Sequence, residues 1–118
     1  GPAALGAIVG GKEYGEYLGI MTNNQAEYLA LVFALKKAKV LLGKAKAKQT
    51  EVEVRMDSEL IVKQMNAIYK IEDEKLQPYF MEIWNLRLDF KKVVFKHIPR
   101  EENKAADQMV NQALDARK

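Results

Sequence analysis

The chain has 118 residues, a formal charge of +3 and a pI near 9.1. That length suits one domain with one sizeable core. No apolar run is long enough to span a bilayer, no basic-then-apolar signal pattern opens the sequence, and without cysteine there are no disulfides and no thiolate metal sites. A cysteine-free chain fits a reducing compartment, so the expected location is cytoplasmic, with no membrane partner. The mild positive charge leans toward polyanions.

In chain order, Ala4 to Val9 is small and apolar and reads as one strand. Gly10-Gly11 is a hairpin signal. Glu13 to Ile20 follows as a second, antiparallel strand with Tyr14, Glu16, Leu18 and Ile20 on one face. Small polar residues then cap a helix from about Asn24 to Leu42, which Gly43 ends. Lys44 to Thr50 is expected to be a lysine- and alanine-rich loop. Glu51 to Met56 alternates polar and apolar residues and forms a third strand, ending at Asp57. Ser58 caps the next helix, with Leu60, Ile61, Met65 and Ile68 inward. After an acidic joint, Pro78 stands near the start of a helix carrying Tyr79, Phe80, Ile83, Trp84, Leu86 and Phe90. Trp84 sits at core spacing and is expected to pack inside. Lys92 to Ile98 is a last strand with His97 at its end, and a final helix runs from about Asn103 to Ala116. The order is β-β-α-β-α-α-β-α, an α/β domain.

Three acids share one peculiarity: each lies at a helix start or a strand end and points inward. Glu27 heads an apolar stripe through Leu31, Ala34, Leu35 and Ala38. A buried carboxylate is costly unless it is paired, hydrogen-bonded or bound to a metal, so Glu27 is either a structural acid with a partner or a ligand. Asp57 lies where a strand gives way to a helix, the place where open α/β sheets build sites, although an Asx turn would explain it as well. Asp107 shares a stripe with Val110 and Leu114, and it also suits the amino-terminal dipole of its helix. Together the three suggest an oxygen-ligand cage for a hard divalent cation such as Mg²⁺ or Mn²⁺. His97 is the only histidine. Alone it reads as an exposed or packing residue whose pKa happens to suit proton transfer.

Thr22-Asn23-Asn24-Gln25-Ala26-Glu27, Met56-Asp57-Ser58, and the run from His97-Ile98-Pro99-Arg100 to Asn103-Lys104-Ala105-Ala106-Asp107 resemble ribonuclease H of the type 1 class, over essentially the whole chain. The resemblance implies a ribonuclease H-like fold, a mixed β-sheet flanked by helices. It implies hydrolysis of the RNA strand of RNA–DNA hybrids by two Mg²⁺ or Mn²⁺ ions held on carboxylates, about 3.5–4 Å apart in such sites. By position, Glu27, Asp57 and Asp107 correspond to the second, third and fourth metal-binding acids. His97 corresponds to the histidine that assists proton transfer or product release. Asn23, Asn24 and Gln25 correspond to residues reaching the hybrid's minor groove. Ser58 lies beside the site, and Arg100 is a further candidate contact.

One part of the family pattern has no counterpart. The family's first strand, which is central in the sheet and carries the first acid in an Asp-Gly motif, is absent from the sequence. The expectation is therefore a single ribonuclease H-like domain, 1–118, incomplete at its amino end. It would belong to a longer enzyme, take a strand from another chain, or be rearranged so that Ala4–Val9 pairs directly with Glu51–Met56. Weak or no cleavage is expected of this 118-residue polypeptide, and the alternative function is a hybrid-binding module with little or no catalysis. The lysine- and tryptophan-rich extension that some members use to grip the hybrid is missing too. The cluster Lys36 to Lys48 is either a solvated surface or a basic grip in its place.

Overall fold

A computed structural model describes the backbone of residues 2–9, 12–99 and 101, and the side chains of residues 19, 21–99 and 101. β1 (Pro2–Val9) and β2 (Lys12–Ile20) pair antiparallel, from Val9 opposite Lys12 to Pro2 opposite Ile20. The expected Gly10-Gly11 turn and the expected inward face of β2 lie outside the described residues. The register shifts between Ala3 and Ala4, leaving Leu18 as an extra residue beside Gly19, whose φ is +88°. That bulge needs a left-handed backbone, which glycine adopts without steric cost.

α1 (Asn23–Leu42) opens with a capping box. Gln25 N–H donates to Thr22 Oγ1 (3.2 Å) and Thr22 N–H donates to Gln25 Oε1 (3.1 Å), so each residue satisfies a backbone donor of the other. The buried stripe runs through Tyr28, Leu31, Val32 and Leu35. At Gly43 the chain takes φ +81° and ψ 155°, a combination essentially restricted to glycine. Residues Lys44–Lys48 then form a short helix, α2, where a loop was expected. Ala47 is fully buried and anchors it, and Thr50 Oγ1 donates to the Lys46 carbonyl (2.6 Å). Gly43→Ala is expected to cost about 1–3 kcal/mol. No atom stands within 4 Å of the added Cβ, so the loss is backbone strain alone. It should lower the urea midpoint with the m-value unchanged.

β3 (Glu51–Met56) and β4 (Lys92–His97) pair in parallel, from Glu51 beside Lys92 to Met56 beside His97. Val52, Val54 and Met56 turn to the half-buried side, as their alternation predicts. Among the described residues, β1–β2 and β3–β4 are separate two-stranded sheets with no ladder between them. One pair is antiparallel and the other parallel, so the strand set is mixed, as expected. The expected final helix lies outside the described residues.

α3 (Glu59–Met65) starts at Ser58, whose Oγ accepts from Ile61 N–H (3.4 Å). It buries Ile61, Val62, Gln64 and Met65. Leu60 and Ile68, expected inward, are 39% and 64% exposed. The helix stops before Ile68: Ala67 turns to φ +61°, and the N–H groups of Ile68 and Tyr69 both return to the Lys63 carbonyl. α4 (Gln77–Arg87) carries Pro78 in its first turn, where a missing N–H costs nothing. Its inward face is Tyr79, Ile83 and Leu86. Trp84 lies one position around the helix and is 46% exposed, which corrects the expectation that it packs inside. It stacks on Phe80 (6.0 Å) and lies under the Arg87 guanidinium (4.2 Å).

The core lies among α1, α3, α4 and β4, with Tyr28, Leu35, Ile61 and Ile83 its largest fully buried side chains. Tyr28 Oη donates to Gln64 Oε1 (2.5 Å), Gln64 Nε2 donates to the Lys70 carbonyl (3.3 Å), and the Tyr28 ring stacks on Tyr79. Burial pushes the Tyr28 phenol up to about 12. Tyr28→Phe would strand the buried Gln64 oxygen, at an expected cost of about 1–3 kcal/mol. The advantage of wild type over that variant is complete below pH ~10, where the unfolded phenol still holds its proton. It declines as pH rises through about 12. Paired urea titrations from pH 8 to 12 measure both. Among the described residues no helix is long and apolar enough to cross a membrane.

Candidate functional site

Local chemistry makes each part of the site. β3 ends because Met56 is the last residue of the ladder, and Asp57 follows in a bend that hands the chain to the Ser58 cap. β4 ends at His97, directly beside Met56, and Ile98 N–H donates to the Met56 carbonyl (2.8 Å). The parallel register therefore brings Asp57 and His97, far apart in sequence, to the same end of one strand pair. Asp57 is half-buried and His97 exposed.

α1 contributes from its amino end. Asn23 and Asn24 are exposed in its first turn, where free backbone donors and the helix dipole favour anionic groups. Gln25 is half-buried, and its Oε1 is committed to the capping box, which leaves its amide N–H₂ for a ligand. Glu27 follows in the second turn. It is half-buried at the edge of the stripe centred on Tyr28, Leu31 and Leu35, rather than at its middle. Asp107 and Arg100 lie outside the described residues.

Glu59, the first residue of α3, is not among the residues expected at the site. Its carboxyl is held below the usual carboxylate range, chiefly by the hydrogen bond from Lys63 (2.6 Å) and more weakly by the charge of nearby His97. Lys63 is held above its ordinary value by the same contact and by Tyr69. The Glu-to-Lys spacing of four residues marks the ion pair in the sequence.

The donors Glu27 and Asp57 are carboxylate oxygens, the ligand type that hard divalent cations prefer, so the chemistry fits Mg²⁺ or Mn²⁺. Among the described residues no group of three acids or histidines stands close enough to hold an ion.

Comparison with known proteins supplies the family. A family model described as reverse transcriptase-like matches residues 5–113. The crystal structure of LC11-RNase H1 in complex with an RNA/DNA hybrid is 41% identical, with a TM-score of 0.89, covering 98% of this chain and 88% of that one. The chain belongs to the type 1 ribonuclease H family. The ribonuclease H1 of the halophilic archaeon Halobacterium salinarum is 34% identical, with a TM-score of 0.86, again covering 98% and 88%. The bifunctional protein Rv2228c of Mycobacterium tuberculosis is 35% identical over 98% of this chain. The chain spans about a third (32%) of that relative's length. Membership of the ribonuclease H family agrees with the ribonuclease H-like α/β fold read from the sequence.

Proposed function

We propose that this chain is the nuclease domain of an enzyme that hydrolyses the RNA strand of RNA–DNA hybrids with divalent metal ions. The observation that carries the reading is the parallel register that pairs Met56 with His97 and so brings Asp57, the next residue, to the same end of the strand pair as His97, in a chain of the ribonuclease H family. Glu27, Asp57 and Asp107 hold the ions, and His97 moves a proton at its exposed ring or helps product leave. Bound ions would activate a water and stabilise the leaving oxygen. Asn23, Asn24 and the Gln25 amide meet the minor groove, where 2′-hydroxyls on one strand and deoxyribose on the other distinguish a hybrid. Ser58 keeps the Asp57 bend in place through its cap. Arg100 supplies a phosphate contact.

The test is cleavage of labelled RNA–DNA, RNA–RNA and DNA–DNA duplexes by the natural full-length polypeptide with Mg²⁺ or Mn²⁺. Cleavage confined to the RNA of the hybrid and stopped by chelator is expected. Hybrid binding without metal-dependent cleavage would leave a binding module instead.

A further inference from the structure

The lysines crowd the end of the molecule opposite the candidate site. α1 has 20 residues, about 30 Å at 1.5 Å per residue. Glu27 stands near its amino end, while Lys36, Lys37 and Lys39 stand near the other. α2 continues the basic run with Lys44, Lys46 and Lys48. Because β3 and β4 are parallel, Lys91 and Lys92 at the start of β4 also lie away from Asp57 and His97. Direct contacts stitch these pieces together. Lys48 Nζ donates to the Leu88 carbonyl (2.7 Å), Lys91 N–H to the Thr50 carbonyl (3.0 Å), and Lys39 pairs with Asp89 (3.1 Å).

Charge is distributed very unevenly. Among the described residues the eight lysines named and Arg87, less Glu51, Glu82 and Asp89, give this end a charge of +6. The whole chain carries +3, so all other residues together sum to −3. Lys36 and Lys39 are occupied by Glu82 and Asp89. Among the described residues Lys44, Lys46, Lys91 and Lys92 are exposed and have no carboxylate partner.

We propose that this end is a second contact surface for duplex nucleic acid, gripping backbone phosphates remote from the candidate site. Lysine ammoniums are compact, strongly hydrated point charges that suit phosphates without reading sequence. Their placement on three elements around one end, rather than along the polar side of one amphipathic helix, suits a phosphate track better than a bilayer surface. At 1.5 Å per residue Glu27 and Lys39 stand about 18 Å apart along α1, roughly five base pairs at 3.4 Å each. A duplex must therefore exceed about six base pairs to reach both, and a shorter one would occupy either. The partner class follows from the proposed function, but the contact is independent of metal and of cleavage.

The experiment is fluorescence anisotropy with a 24-base-pair DNA duplex, without divalent metal, from 50 to 200 mM salt. The variants are K44Q/K46Q, K91Q/K92Q and, as an equal-charge control, K70Q/K75Q. All six lysines are exposed, and thermal melts check folding. Each patch pair is expected to weaken binding about tenfold and to flatten the log K against log salt slope by about 2, at 0.9 per lost phosphate contact. The control pair should change affinity less than twofold. Equal effects from patch and control, no duplex binding by wild type at 50 mM salt, or loss of binding only to phosphatidylserine vesicles would each overturn the proposal. Because the probe is uncut DNA without metal, these outcomes are separate from success or failure of hybrid cleavage.

Discussion

Asp57→Asn is expected to reduce hybrid cleavage by the natural full-length polypeptide at least about a thousandfold, equivalent to roughly 4 kcal/mol of transition-state stabilisation. The substitution keeps the shape of the side chain and removes its charge, so a site that depends on oxygen anions to hold cations loses a ligand while the bend after β3 survives. Asp57 is only half-buried, and the melting temperature should move by no more than a few degrees. Ser58→Ala provides the contrast. It removes the oxygen that caps α3 and should cost about 1 kcal/mol of stability, with a far smaller loss of turnover. If the two variants lost activity in proportion to stability, Asp57 would be a structural residue. If Asp57→Asn retained near-wild-type turnover, the metal-binding role would be lost.

Leu35→Ala carries the largest expected effect on stability, about 3–4 kcal/mol. Leu35 is 1% exposed in the middle of α1, within the cluster that joins this helix to α3, α4 and β4. Truncation removes three buried carbons, about 0.8 kcal/mol each, and leaves a cavity that its neighbours close only in part. For a domain stabilised by about 5–15 kcal/mol in total, this is a large fraction. Val40→Ala, five residues on in the same helix and 75% exposed, should change stability by less than about 0.5 kcal/mol. The difference in urea midpoint between the two variants measures the burial term directly.

Where local chemistry decides an element, the sequence reveals it. Thr22 supplies the cap that small polar residues before an apolar run predict, and Gln25 completes it as a capping box. The alternation Val52, Val54, Met56 reappears as the half-buried side of β3, and Ser58 caps its helix. Where a tertiary contact decides, local pattern misleads. Lys44 to Lys48 carries no apolar stripe to announce a helix, yet its alanines and lysines are good helix formers, and α2 is anchored by buried Ala47 after the glycine-only backbone at Gly43. Trp84 falls within the helical spacing of Ile83 and Phe80, yet a rotation of one residue places it outside, where Arg87 covers its ring. Ile68 has the right interval for α3, but the chain has already left the helix at Ala67.

The site divides in the same way. That Asp57 follows one strand and His97 ends another is visible in the linear order, whereas their arrival at one end of the same strand pair is a property of the parallel register. Glu27 was expected on the central apolar stripe and stands at its margin. A margin lets a carboxylate face a ligand without the full cost of burial.

If distant carboxylates share cations, an anomalous-scattering map from a crystal soaked in Mn²⁺ shows it most directly. Manganese peaks bonded to Asp57, with Glu27 and Asp107 completing the oxygen shell, are the predicted result. Manganese bound elsewhere, with these three carboxylates turned to different sides of the molecule, would contradict it.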